Sequence, residues 1–212
     1  MSLENPLILA SASPRRKRLL EQVGLPIRVL PSDIDENQTD FSDPEATVRL
    51  LAHQKALAVS DSAEEHWILG ADTTVVLGRT KLGKPADKIE ARSMLTRLSG
   101  KEHRVITGFC ILFPDSSQRP HRQAVTTRVK VKDLRPAEIE AYIETGEPFG
   151  KAGSYAIQGI GAFLVESISG SYTNVVGLPV CAVIKALLAL GALRCFPLPP
   201  SIEFTGLADQ HE

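Results

Sequence analysis

Leu7-Ile8-Leu9-Ala10-Ser11-Ala12-Ser13-Pro14-Arg15-Arg16 changes character twice within ten residues. The four apolar residues read as a short buried strand. Ser11 to Ser13 are small and polar, as a tight turn needs. Ser13 followed by Pro14 is a helix start, with a hydroxyl at the N-cap and proline at the first helical position. The helix is expected to run to about Gly24, a natural stop. A strand, a sharp turn and a helix N-terminus aim free N–H groups and the positive end of a helix dipole at one point. Ser11, Ser13, Arg15 and Arg16 stand there, and forked guanidinium donors match phosphate oxygens. The plain alternative is a capped helix with a solvated basic first turn. Basic residues are disfavoured at that end, where acidic ones would stabilise by ~0.3–1 kcal/mol. The pattern therefore favours an anion cradle.

Outward from this stretch, helical and strand signals alternate loosely. Asp43-Pro44 opens a helix over roughly 45–60, and Trp67 to Leu77 reads as an apolar strand. Asp87 can cap a third helix, whose stripe of Ala91, Met94, Leu95 and Leu98 ends at Gly100. Val105–Phe113 and Ala124–Val131 read as strands, and Pro136 starts a short helix that stops at Gly146. Tyr155–Ile168 is strand-like but broken by Gly159 and Gly161, and Pro179 starts a last helix ending near Gly191. This order predicts an α/β fold with a mixed sheet. With no repeat or linker in view, residues 1–195 read as one domain and the Pro-rich 196–212 as a poorly ordered tail.

Composition narrows the function classes. The chain has 212 residues and 23.0 kDa, enough for one domain or two tightly joined lobes, and 43% hydrophobic residues can fill a core without disulfide or metal staples. Its 24 basic and 25 acidic side chains nearly cancel, which disfavours a global polyanion binder but not a local basic patch. Three cysteines (Cys110, Cys181 and Cys195), with no CxxC, argue against a disulfide scaffold and a Cys-rich zinc site. The most apolar run, Leu178–Leu193, is short and carries Lys185, so no membrane span is expected. Ala10-Ser11-Ala12 imitates a signal cleavage site, but Leu7–Ala10 is too short for the apolar region before it, and no basic segment precedes that. The expectation is a soluble, cytoplasmic protein.

Four further segments carry chemistry. Lys55 lies on the apolar face made by Val48, Leu51, Ala52, Ala56 and Val59, so it must snorkel, meet a carboxylate or face a cleft. Asp72 interrupts Ile68-Leu69-Gly70-Ala71-Asp72-Thr73-Thr74-Val75-Val76, where a carboxylate is costly unless it is paired, hydrogen-bonded or on a metal. A structural Asp held by nearby N–H groups is the bland reading; buried acids cluster at active sites, which favours a catalytic or metal role. Gly70 beside it would let a ligand approach the backbone. Gly78 to Lys84 fits GxxxxGK, but the next residue is Pro85, with no hydroxyl for magnesium and no N–H, so the P-loop reading fails and Lys84 remains a phosphate-binding candidate. Lys151-Ala152-Gly153-Ser154-Tyr155-Ala156-Ile157-Gln158-Gly159 combines permissive glycines, one lysine and one amide able to read a base edge, although a bulge with a satisfied Gln fits equally well.

These segments, with Leu51-Ala52-His53-Gln54-Lys55-Ala56, Gly83-Lys84-Pro85 and Val176-Gly177-Leu178-Pro179, resemble in order and spacing the Maf family of nucleoside triphosphate pyrophosphatases, over residues 6 to 193. The resemblance implies hydrolysis of a nucleoside triphosphate to the monophosphate and pyrophosphate, with Mg²⁺ or Mn²⁺. It implies a homodimer and a fold like that of inosine triphosphate pyrophosphatases, in which helices flank a curved mixed sheet and a cleft separates two lobes. Arg15, Thr73 and Gln158 match the specificity positions of the dTTP/UTP branch; the 7-methyl-GTP branch carries Trp and Glu near the first and last of these. Asp72 matches the proton acceptor. Ser11, Arg16, Lys55, Lys84 and Lys151 match phosphate-side groups, and Glu36 an acidic position that helps hold metal beside Asp72. A carboxylate is a weak base at neutral pH, so orienting a metal-bound water is favoured over pure base catalysis. The rivals are a nucleic-acid-binding module built on Arg15-Arg16-Lys17-Arg18 and a regulator of septum formation without hydrolysis. Only 5% of residues are aromatic, too few for a base-stacking platform.

Overall fold

A computed structural model describes residues 5–34 and 41–198. Glu36 and residues 199–212 of the expected tail lie outside the described residues. Strand β1 (Leu7–Ala10) leads through helix α1 (Pro14–Gln22) to β2 (Ile27–Val29). Helix α2 (Pro44–Leu57) brings the chain to β3 (Ile68–Leu77), which turns directly into β4 (Thr80–Leu82). Helix α3 (Lys88–Leu98) precedes a long hairpin of β5 (Glu102–Leu112) and β6 (His121–Val131). Then come α4 (Pro136–Glu144), 3₁₀ turns at Ala152–Ser154 and Gly159–Leu164, β7 (Val165–Ser169), α5 (Tyr172–Val176) and α6 (Val180–Ala189).

The strands form one mixed sheet in the order β2-β1-β3-β5-β6-β7, with β4 also paired to β3. β1 runs parallel to β2 and β3; β4, β5, β6 and β7 join by antiparallel pairing. The helix starts obey local chemistry: the Ser13 hydroxyl accepts from Arg16 N–H at 3.5 Å, Asp43 caps α2 through Glu45 and Ala46, and Asp87 caps α3 through Glu90. Gly78 to Lys84 is the β3–β4 hairpin, not a phosphate loop running into a helix.

Side chains alternate across a strand, so β3 serves both faces of the sheet. On one face α2 lies directly on backbone. A Cβ at Gly70 would sit 2.1 Å from the Ala52 carbonyl oxygen, and one at Gly108 2.3 Å from the Val48 backbone. Gly70 therefore admits a helix, where the sequence suggested a ligand. On the other face lie two apolar clusters. One gathers α1 and α6 around Leu69, Phe109 and Leu187; the other gathers α3 and α4 around Val75, Leu95 and Tyr142.

Tyr155–Ile168 departs from the strand expected there. Only Val165–Ser169 pairs with β6, and Gly159–Leu164 coils as a 3₁₀ turn. The amides of Ile160 and Gly161 are taken by the Glu147 carboxylate rather than by a neighbouring strand. β2, β4 and α5, at three, three and five residues, are too short for hydrophobic periodicity to reveal.

Candidate active site

The site lies where one edge of β3 is bare. β1 accompanies β3 as far as Gly70, and β4 joins it only at Val75. Between them, residues 71–74 lie beyond the carboxyl end of β1, with no strand on that side among the described residues. Ligands in open α/β sheets bind in such crevices beyond strand ends. A cavity of about 360 Å³ opens there, and ten of the sequence-predicted residues line it: Ser11, Ser13, Arg15, Arg16, Lys55, Asp72, Thr73, Lys84, Lys151 and Gln158. Glu36 lies outside the described residues.

Asp72 points to the α2 face, because it alternates with Ala71 and follows Gly70 by two. There its Oδ1 accepts from Lys55 Nζ at 2.7 Å. Both side chains are about nine-tenths buried. The lysine on the apolar stripe thus meets a carboxylate and a cleft at once. Removing one member of such a pair strands a buried charge at a cost of ~3–5 kcal/mol. The close seating of α2 on Gly70 and Gly108 is what brings the two groups together.

Thr73 points to the opposite face, into a hydrogen-bond hub. Its hydroxyl donates to the Gly177 carbonyl at 3.2 Å, lies 3.0 Å from the Thr107 hydroxyl and accepts from an Arg16 terminal nitrogen at 3.0 Å. Arg16 also donates from Nε to the Gly177 carbonyl at 2.9 Å and from its other terminal nitrogen to Ser11 Oγ at 3.0 Å. Gly177, at φ +133°, ends α5 in a conformation glycine adopts freely and turns its carbonyl into the hub. Arg16, read from sequence as a phosphate cation, is 8% exposed and commits three nitrogens to protein acceptors. Its geometry is that of a post joining the β1–α1 turn, β3 and the α5–α6 junction. The basic run from Arg15 to Arg18 is thus divided, with Arg16 turned inward and Lys17 and Arg18 exposed.

Arg15 and Lys151 both line the cavity, close enough for the charge of one to act on the other. Burial lowers the pKa of Arg15. Burial and then the Arg15 charge lower that of Lys151, while Glu147 partly opposes the shift. Two cations pressed together in this way favour an anion between them. The Lys151 ammonium donates to the Glu147 carbonyl oxygen. Lys84 is exposed on the loop after β4, which is tied to the Lys151 segment by Gly153 N–H donating to the Gly83 carbonyl at 3.0 Å. In total, five cations and a single carboxylate line the cavity among the described residues.

Three contributors were not read from the sequence. Ser32 lines the cavity and donates to the Ala10 carbonyl at 3.2 Å; nothing in the polar stretch around it marked it out. Tyr155 also lines the cavity, with its hydroxyl 2.8 Å from Nε2 of the buried His103. Glu147 lies behind the Gln158 segment, and the acidic residue next to Gly146 gave no signal of its own.

The chain matches the family model described as Maf-like protein over residues 6–190. It is 52% identical over 174 residues to the dTTP/UTP pyrophosphatase of Ruminiclostridium cellulolyticum, covering 82% of this chain and 90% of that protein. It is 49% identical over 187 residues to the dTTP/UTP pyrophosphatase of Geobacter sp. strain M21, covering 88% and 96%. Among solved structures, the Staphylococcus aureus Ham1 protein aligns with a TM-score of 0.47 at 10% identity, over 88% of this chain and 97% of that one.

Proposed function

The chain belongs to the Maf-like protein family, and from that premise we propose that it is a hydrolase cleaving the α–β phosphoanhydride of dTTP and UTP to the monophosphate and pyrophosphate. Modified pyrimidine triphosphates fall within the same proposal. Its relatives at 52% and 49% identity carry the name of that activity. The observation that carries the reading is the lining of the cavity. Arg15, Arg16, Lys55, Lys84 and Lys151 line the same cavity as Asp72, a net of four positive charges. A bound triphosphate carries about four negative ones, and charge must be offset most strongly in the transition state of phosphoryl transfer.

In the mechanism that follows, Arg15, Lys84 and Lys151 hold phosphate oxygens. Arg16 fixes Ser11 and Thr73, whose hydroxyl and backbone shape the cradle at the start of α1. The Asp72 carboxylate, held by Lys55, orients a water in line with the α-phosphorus and takes its proton as the new P–O bond forms. The α–β bridging bond breaks, and pyrophosphate leaves with the electron pair on its oxygen. Gln158 pairs with the polar edge of uracil or thymine.

Mg²⁺ or Mn²⁺ belongs to the same proposal. Among the described residues, no three His, Cys, Asp or Glu side chains are grouped to hold a metal. A single carboxylate beside a phosphate cradle suits Mg²⁺, which binds through one or two carboxylates and otherwise through substrate phosphates and water. Asp72 would hold it, and Glu36 would be the second acid. When bound, the cation supplies charge neutralisation on the phosphate oxygens. A homodimer and a cytoplasmic location complete the reading; no helix among the described residues is long and apolar enough to cross a membrane.

A panel of nucleoside triphosphates with Mg²⁺, scored for pyrophosphate against orthophosphate, tests the proposal. Pyrophosphate release with kcat/KM for dTTP and UTP well above that for dATP and dGTP supports it. Orthophosphate release, or equal kcat/KM for dTTP and dGTP, overturns it.

A further inference from the structure

Among the described residues, no strand pairs with the Gln158 segment. It is held by Glu147. One carboxylate oxygen accepts from the Tyr142 hydroxyl at 2.9 Å and from Gly161 N–H at 2.8 Å, and the other accepts from Ile160 N–H at 3.0 Å. Tyr142 in turn accepts from Ala156 N–H at 3.2 Å. The main-chain oxygen of Glu147 receives the Lys151 ammonium. Both ends of the loop bearing Lys151 and Gln158 are therefore fastened through one residue that does not itself line the cavity.

Two glycines make room for this carboxylate. A Cβ at Gly159 would meet Glu147 Oε2 at 2.5 Å, and one at Gly161 would meet Tyr142 Oη at 2.5 Å and Glu147 Oε1 at 2.9 Å. Gly159 also takes φ +71°, which strains other residues. The turn that sets the Gln158 backbone is thus built around the Glu147 charge. Burial pushes the Glu147 pKa up, but the Gly161, Tyr142 and Ile160 hydrogen bonds and the Lys151 charge outweigh it, and the net shift is downward, so the carboxylate is ionised at neutral pH.

We propose that Glu147 is a positioning residue for substrate selection, fixing the 156–161 turn so that Gln158 meets the base while Lys151 stays turned to the phosphates. This rests on the pyrimidine triphosphate reading above, and it adds a residue that acts only through others. Glu147→Gln keeps the size and retains one oxygen, but turns an amide N–H₂ toward a backbone donor. Hydrogen exchange of intact protein tests the clamp without substrate: amides in 156–161 should exchange at least tenfold faster in the variant, with β5 unchanged. Unchanged exchange in 156–161 overturns the proposal. Selectivity tests the consequence: the ratio of kcat/KM for UTP over ATP should fall about tenfold, mainly through KM for UTP, with kcat within about threefold. In a Gln158→Ala background the same substitution should change that ratio less than twofold. Independent, multiplying effects of the two substitutions overturn the proposal even if exchange rises. A wild-type protein without pyrimidine preference contradicts the underlying reading instead, and with it the selection role, while the exchange result still decides whether the clamp exists.

Discussion

Single residues divide here into those whose side chains line the cavity and those that hold them in place. Lys55 and Asp72 were legible because each breaks an apolar pattern, and burial of an ionisable group demands a partner. That each would be the other's partner was not legible, since they stand on different elements with no sequence rule joining them. Arg16 illustrates the opposite limit. Two adjacent arginines at a helix start look alike in sequence, yet one turns inward to Gly177, Ser11 and Thr73 while the other borders the opening. Only the backbone geometry of the first turn separates them. Asp72→Asn keeps the shape but removes the carboxylate that the proposed mechanism uses as proton acceptor. Its kcat should fall on the order of 10²–10⁴-fold while UTP still binds, as seen by calorimetry with a pyrimidine triphosphate. Near-normal turnover in that variant would remove Asp72 from the mechanism.

Elements position these residues through contacts that a pattern of apolar and polar letters does not describe. The α1 start, the α2 stripe and the α3 stripe were readable, because capping and 3.6-residue periodicity are local. The seating of α2 was not: it depends on the missing side chains of Gly70 and Gly108, which in sequence look like permissive points in a strand. Gly70→Ala places a methyl group 2.1 Å from the Ala52 carbonyl oxygen, so α2 must move. Overpacking of this kind costs ~1–3 kcal/mol. We expect a matching loss in thermal or urea unfolding, and a larger fractional loss of kcat than of substrate affinity as Lys55 shifts from Asp72. A variant with wild-type stability and activity would show that the close approach is not what sets the pair. The 155–168 stretch misled for a related reason. Its apolar letters suit a strand, but the Glu147 carboxylate claims two amides of the turn.

At the scale of the molecule, the mixed sheet, its flanking helices and the ten cavity residues followed from the sequence and its family resemblance, whereas the bare stretch of β3 edge that creates the cavity did not. It arises because β1 is short and β4 joins late, and the pairing partners of three- and four-residue strands leave no periodic trace. The apolar cluster around α3 and α4 also has a buried titratable group beside it. His103 is 2% exposed beside Tyr155, and burial lowers its pKa to about 4. A histidine with a depressed folded-state pKa stabilises the fold fully above its ordinary value of about 6.5, and that stability is lost as pH falls toward 4. The span corresponds to at most ~3 kcal/mol. The unfolding free energy of the protein should drop over that interval, and His103→Phe should flatten this part of the profile; an equally steep drop in the variant would assign it to other groups.

In the proposed reaction these separated segments act together to direct water at the α-phosphorus of a bound pyrimidine triphosphate. Hydrolysis of UTP in ¹⁸O-enriched water, followed by mass analysis of both products, tests it most directly. Attack at the α-phosphorus leaves one ¹⁸O atom in the uridine monophosphate and none in the pyrophosphate; label in the pyrophosphate, or in released orthophosphate, would contradict it.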